Sequence, residues 1–128
     1  MLCLDTSVLI DIQRERKATI ERIEQLLARH PAPGCITFIT YFEYYLGLLG
    51  MKKREKGYAL LASFIFLRPT KKTAEILARL RRESDNEGTG LALADLLIAS
   101  QVKENNLTLV TKDRDFLKVK DIDVEFIE

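Results

Sequence analysis

Short apolar runs alternate with amphipathic segments along the whole chain, and this alternation predicts the order of its secondary structure. Runs rich in β-branched and aromatic residues predict strands at 1–4, 35–40, 64–69, 107–111 and 123–128. Apolar residues at helical spacing predict helices at 6–14, 17–29, 40–50, 58–64, 70–83 and 91–105, with a turn and short helix at 112–119. The charged stretch 51–57 fits either the beginning of a helix or a loop before it. Strands that alternate with helices predict a central parallel sheet with helices on both faces, a three-layer α/β/α fold.

Three finer expectations concern how the helices begin and pack. Thr6 or Ser7 is expected to cap the first helix. The segment "LALADLLIASQVKEN" at 91–105 is apolar nearly all round, which predicts a central, buried helix. The core-facing positions of the helix at 70–83 are expected to be Ala74, Leu77, Ala78 and Leu80.

The composition is that of an ordinary globular protein. A chain of 128 residues, 47% hydrophobic and 30% charged, predicts a single domain spanning 1–128. No apolar run approaches the roughly 20 residues of a membrane span, and the N-terminus lacks the pattern of a signal peptide. We therefore expect a cytoplasmic protein with no membrane partner. The net charge of +1 neither requires nor excludes nucleic acid as a partner.

Cysteine and histidine offer little chemistry here. Cys3 and Cys35 each lie in an apolar stretch and are expected to be free thiols packed as small hydrophobic side chains. The single histidine, His30, precedes a proline at the end of a predicted helix and is interpreted as a surface residue. A Ser/His/Asp or Cys/His mechanism and a histidine- or cysteine-based metal site are therefore disfavoured.

Several acidic residues stand where the surrounding pattern is apolar. Asp5 follows the first strand, Glu43 interrupts a ring-rich helix, Asp95 interrupts the most apolar helix, and Asp113 and Asp115 follow the fourth strand. Each has an ordinary explanation when taken alone, as a cap or as an acid in the first turn of a helix.

Taken together, these acids predict a metal site. In a parallel α/β fold the ends of the strands and the beginnings of the following helices converge at one edge of the sheet. Two carboxylates about 5 Å apart repel by roughly 3 kcal/mol at an effective dielectric constant of about 20. A divalent cation relieves such repulsion, and a site of oxygen ligands alone suits Mg²⁺ or Mn²⁺.

The segments that carry these acids resemble a known family. "LDTSVLID", "TYFEYYLGL", "LALADLLIAS" and "LVTKDRDF" are similar, in this order, to the motifs of PIN-domain ribonucleases, and most of all to VapC-type toxins of toxin–antitoxin pairs. The resemblance spans the whole chain and implies a PIN-like fold. By motif match it implies that Asp5, Glu43, Asp95 and Asp113 bind the metal and act in catalysis. Asp5 and Asp95 are expected to be the most direct ligands, and Glu43 and Asp113 to bind directly or through water. Asp115 is a secondary candidate, because family members vary in this segment, and Thr111 or Ser7 is a hydroxyl that assists.

The resemblance also implies an activity and partners. PIN ribonucleases of this type hydrolyse RNA phosphodiester bonds with Mg²⁺ or Mn²⁺, and their substrates are tRNA, rRNA or mRNA. VapC-type members usually form homodimers and are silenced by a VapB-like antitoxin that lies across the active site.

Two other groups of residues each have two interpretations. Basic clusters that contact RNA phosphate or are merely solvated occur at Arg14, Arg16 and Lys17, at 52–56, and at Lys112 and Arg114. Rings that are divided between the core and an exposed face are Phe38, Tyr41, Phe42, Tyr44 and Tyr45. For the exposed rings we favour a contact with protein over stacking on RNA bases.

Two alternatives belong to other functional classes. A receiver domain of a signalling protein has a similar length, but it needs an aspartate after its third strand, and "FIFLRPTKK" has none. A non-catalytic PIN-like module that binds RNA or protein is expected to have lost some of the acids, and none is lost here.

Overall fold

The computed structural model describes all residues from Met1 to Glu128. Its elements, in chain order, are β1 (Leu2–Leu4), α1 (Thr6–Gln13), α2 (Lys17–Leu27), β2 (Cys35–Ile36), α3 (Phe38–Leu49), α4 (Glu55–Ala62), β3 (Ile65–Phe66), α5 (Lys71–Glu87), α6 (Leu93–Glu104), β4 (Thr108–Thr111), a 3-10 helix (Arg114–Lys118) and β5 (Asp123–Phe126). No helix is both long and apolar enough to cross a membrane.

The five strands form one parallel sheet in the order β3-β2-β1-β4-β5, with β1 at its centre. Alternate residues of the central strand point to opposite faces of the sheet. Leu2 and Leu4 pack with residues of α1 to α4, whereas Cys3 packs with Ile98 and Val102 of α6. The predicted three-layer α/β/α fold is therefore confirmed.

Several predicted boundaries were wrong, and local capping explains two of them. The second strand ends at Ile36 because Thr37 caps α3, with its hydroxyl accepting a hydrogen bond from the Thr40 N–H at 3.3 Å. The fifth helix continues to Glu87, beyond the expected end at 83, and stops at Gly88, whose φ of 65° suits glycine. The first helix is capped by Asp5 instead of Thr6 or Ser7.

The packing of two helices also differs from expectation in part. The buried residues of α5 are Thr73, Ile76, Leu80 and Ser84, while Ala74 and Ala78 are exposed. The predicted burial of α6 is confirmed, since six of the seven positions from Leu96 to Val102, all except Leu97, are buried. The charged stretch divides into a loop at 51–54 and the first turn of α4, where Gly57 packs directly against Leu48 of α3. Both cysteines are buried free thiols, as predicted.

Candidate active site

The aspartate after the central strand is buried and held by hydroxyl groups. Asp5 is 5% exposed, and its Oδ1 accepts hydrogen bonds from the Ser7 hydroxyl at 2.6 Å and from the Val8 N–H at 3.4 Å. Its Oδ2 accepts a short hydrogen bond from Thr111, the last residue of β4. Burial raises the pKa of Asp5, and the hydrogen bonds from Ser7 and Thr111 partly offset this effect. The sequence-predicted hydroxyls therefore hold Asp5 in place.

Three further acids form a tight group at the same edge of the sheet. One carboxylate oxygen from each of Asp95, Asp113 and Asp115 lies within 4.8 Å of the other two. Asp95 is in the first turn of α6. Asp113 caps the 3-10 helix by accepting a hydrogen bond from the Asp115 N–H at 2.9 Å. Asp115, a secondary candidate by motif match, thus belongs to the group of acids that the structure brings closest together.

Asp95 lies in the most unfavourable electrostatic environment of the site. Burial, followed by the charges of Asp113, Asp115, Glu43 and Asp5, raises its pKa to about 6. No lysine or arginine forms an ion pair with Asp95, and no side-chain hydrogen bond reaches it. The other four sequence-predicted acids therefore all lie close enough to act on Asp95.

Glu43 approaches this group from α3. It lies outside the tight set of three, and its Oε1 accepts a hydrogen bond from the Thr6 hydroxyl at 2.8 Å. The bond joins α3 to the N-terminus of α1, beside the cap that Asp5 forms. Glu43 also lines a cleft of about 430 Å³ between these helices.

The donor set fits a hard divalent cation. The group offers carboxylate oxygens alone, with neither cysteine nor histidine within it, which is the chemistry that Mg²⁺ and Mn²⁺ prefer. Its negative charge is only partly compensated, since Asp115 pairs with the half-exposed Lys118 at 3.1 Å while Asp95 has no cationic partner. His30 is half-buried near the end of α2 and is not part of the group.

Sequence reasoning assigned no role to one buried acid near the site. Asp11 of α1 is 5% exposed and accepts a hydrogen bond from the Lys112 ammonium at 2.8 Å. Lys112, expected among the candidates for contact with RNA phosphate, is therefore already engaged within the protein. The sequence feature that could have indicated a buried, paired Asp11 is its position inside the apolar run "VLIDI", where an unpaired charge is unfavourable.

A separate apolar groove lies on the exposed face of α3. Of the five rings in this segment Tyr44 is 4% exposed and belongs to the core, whereas Phe38, Phe42 and Tyr45 are 37–53% exposed. The predicted division between core and surface is confirmed. The groove has a volume of about 420 Å³, and its lining is entirely hydrophobic: Phe38, Tyr41, Phe42, Tyr45, Leu46, Leu49 and Phe66.

The fold and the site place the protein in a class of α/β/α domains that carry a group of carboxylates at the ends of parallel strands. The family model of the PIN domain matches residues 2–122, and the chain belongs to the PIN-domain family. No curated protein matches the sequence significantly. The receiver alternative was wrong, since receiver domains have the strand order 2-1-3-4-5 and this sheet has the order 3-2-1-4-5.

Solved structures of toxin–antitoxin complexes have the same fold. VapBC2 from Rickettsia felis, bound to a DNA fragment from its promoter, is 25% identical with a TM-score of 0.84, over 99% of this chain and 98% of that chain. VapBC-5 from Mycobacterium tuberculosis is 27% identical with a TM-score of 0.71, over 98% and 96%. A toxin–antitoxin complex from Klebsiella pneumoniae is 25% identical with a TM-score of 0.78, over 98% and 96%.

Proposed function

We propose that this protein is a divalent-metal-dependent endoribonuclease that hydrolyses RNA phosphodiester bonds, and that it is the VapC-type toxin of a toxin–antitoxin pair. The observation that carries the proposal is the group Asp95, Asp113 and Asp115 at the sheet edge of a PIN domain. Nucleases of this family generally use divalent metal ions. The similarity to VapBC complexes supports assignment to the toxin subgroup.

The acids form two groups that differ in their proximity to the proposed cation. Asp95, Asp113 and Asp115 are its closest ligands, and Asp5 and Glu43 complete the site directly or through water. A Mg²⁺ or Mn²⁺ ion in such a site supplies an activated water and stabilises negative charge on a phosphoryl group. Ser7 and Thr111 fix Asp5, so its carboxylate is held in one orientation before substrate arrives.

The substrate must approach an acidic edge, and nearby cations support this approach. Arg14 is exposed and lines the cleft that Glu43 shares, while Lys52, Lys53 and Lys56 are exposed before and within α4. Arg114 lies between Asp113 and Asp115 in the sequence, and its guanidinium carbon lies 4.7 Å from the centroid of the Phe126 ring. These groups are the candidates for contact with RNA phosphates, and Lys112 is withdrawn from that set.

Two protein partners complete the proposal, and they fit different surfaces. A VapB-like antitoxin that silences the acidic site must present cationic side chains there, by charge complementarity. The groove on α3 carries no charge in its lining and suits an equally apolar surface. We assign the groove to a second copy of this chain, which offers such a surface by symmetry.

Cleavage of a labelled pool of single-stranded RNA tests the proposal. Purified protein is incubated with Mg²⁺, with Mn²⁺ or with EDTA, beside Asp95→Asn and the matched control Asp85→Asn, whose carboxylate is exposed on α5. Metal-dependent cleavage that Asp95→Asn loses and Asp85→Asn keeps is the expected result. Absence of cleavage, repeated with structured tRNA and rRNA, favours the non-catalytic binding module instead.

A further inference from the structure

The charged residue Asp11 joins three parts of the molecule. Its carboxylate, which is 8% exposed, accepts hydrogen bonds from the Thr19 hydroxyl of α2 at 2.7 Å and from the Lys112 ammonium at 2.8 Å. The Arg16 guanidinium lies 3.6 Å away. Burial acts to raise the pKa of Asp11, but the hydrogen bonds and charges of these partners outweigh it and lower the pKa. Asp11 is therefore held as an anion by partners from three parts of the chain.

Lys112 belongs to the loop that carries two of the candidate ligands. It stands between Thr111, which bonds to Asp5, and Asp113, whose N–H donates to the Thr111 hydroxyl at 3.0 Å. Its own N–H donates to the Ser7 hydroxyl at 3.2 Å. Lys112 is thus attached to α1 twice, by its backbone at the first turn and by its ammonium at Asp11.

We propose that the Asp11–Lys112 pair is a tether that positions the loop 111–115, so that the carboxylates of Asp113 and Asp115 meet that of Asp95. This inference rests on the proposed function, because the quantity that the tether controls is the affinity of the acidic group for a divalent cation. Asp11 and Lys112 are positioning residues, and neither belongs to the tight group of acids.

The environment of the pair supports a defined geometry. Exposed ion pairs such as Arg81–Asp85, with side chains 49% and 65% exposed, order their partners weakly. In the Asp11–Lys112 pair one partner is buried and the other is 32% exposed, so the pair is screened less by solvent, and the Arg16 guanidinium lies against the other carboxylate oxygen. The three acids repel one another, so an anchor that holds the loop near Asp95 opposes their separation.

Mn²⁺ titration by calorimetry, on the full chain without RNA, tests the tether. Lys112→Met should weaken Mn²⁺ binding about tenfold, the effect typical of residues that orient metal ligands. Simple electrostatics predicts the opposite, because removing a cation beside the acids strengthens cation binding. Asp11→Asn should also weaken Mn²⁺ binding. Lys112→Arg, which keeps a donor for Asp11, should retain most of the wild-type affinity.

Thr19→Val is the matched control, since it removes another donor to Asp11 and leaves the tether to Lys112 intact. It should lower the melting temperature and leave Mn²⁺ affinity unchanged. Unchanged or tighter Mn²⁺ binding in Lys112→Met overturns the tether, and so does equal weakening in Thr19→Val. If the wild type binds Mn²⁺ and Asp95→Asn does not, a failure of the tether leaves the proposed metal site standing. If the wild type does not bind Mn²⁺, both proposals fail.

Discussion

Replacing Asp95 by asparagine should stabilise the metal-free protein at neutral pH. The substitution keeps the size of the side chain and removes one negative charge from a group in which four other acids act on it. No hydrogen bond or ion pair is lost with the charge, because Asp95 makes none with another side chain. The fold therefore tolerates this carboxylate at a cost, and the asparagine avoids that cost.

The magnitude follows from the pKa of about 6, which compares with an unfolded value of roughly 3.9. A pKa difference of about two corresponds to about 3 kcal/mol in the free energy of unfolding. Solvent screening at this half-buried position reduces that figure to about 1–2 kcal/mol. Loss of the favourable interaction with the N-terminus of α6 costs about 0.5 kcal/mol in return. The expected net stabilisation at pH 8 is about 1 kcal/mol, or roughly 4 °C in melting temperature.

The sign of the pH dependence is fixed by the raised pKa. Below about pH 4 the carboxyl is protonated in both the folded and unfolded states, so the charge costs nothing. As the pH rises from about 4 to above 6, the unfolded state ionises freely while ionisation in the folded state is unfavourable. The wild type should therefore lose stability progressively over this range relative to Asp95→Asn, and the full difference should be reached above about pH 6.

Urea unfolding in EDTA between pH 4 and pH 8 measures this difference, with the exposed Asp85→Asn as a control that should match wild type at every pH. Millimolar Mg²⁺ should then stabilise wild type and leave Asp95→Asn unchanged, because only a bound ligand shifts the folding equilibrium. A wild type at least as stable as Asp95→Asn at pH 8 in EDTA would refute the reasoning.

Three further predictions concern other parts of the fold. Thr111→Val removes a hydroxyl donor from buried Asp5 and should cost about 1–3 kcal/mol in urea unfolding at pH 7, and less at acid pH, where the carboxyl protonates. Gly57→Ala places a methyl group 2.2 Å from a leucine carbon and should cost about 1–3 kcal/mol; Gly47→Ala, with open space around it, should stabilise by about 0.5–1 kcal/mol. Phe42→Glu should convert a dimer into a monomer by light scattering, and an unchanged mass would contradict the assignment of the groove.

The fold could be predicted from the sequence because its signals are local and agree with one another. The apolar strands and the amphipathic helices alternate without interruption, and the order of elements limits a parallel sheet to few topologies. The boundaries could not be predicted as well. Residues 37–40 have strand-like composition, yet Thr37 caps a helix there. The Gln101 side chain of α6, far away in the sequence, accepts a hydrogen bond from the Phe38 N–H at the beginning of this helix.

The acids of the site could be predicted because each breaks an apolar pattern. Their ranking could not, since it depends on distances between elements far apart in the chain. The sequence favoured Asp5 as a principal ligand, whereas the structure surrounds it with donors and brings Asp115 into the tight group instead. The direct binding of a metal by either residue stays a prediction. The tether of Asp11 to Lys112 joins residues 101 positions apart, and no local pattern indicates that pairing.

Asp5 and Asp95 have contrasting hydrogen-bonding environments, and this contrast bears on what the site binds. Asp5 is deeply buried and has a donor for each oxygen, so hydrogen bonds offset part of the cost of burying its charge. Asp95 is half-buried and has no such donor, and burial together with the charges of the neighbouring acids raises its pKa to about 6. An Asp95 with only a structural role would gain nothing from lacking a donor, because a single lysine or hydroxyl beside it would remove the free-energy cost of its charge. Such a donor would also compete with any cation for the same oxygen lone pairs. The absence of a donor at Asp95, in a chain that supplies donors to Asp5 and Asp11 nearby, is therefore the arrangement expected when the compensating charge comes from a bound divalent ion.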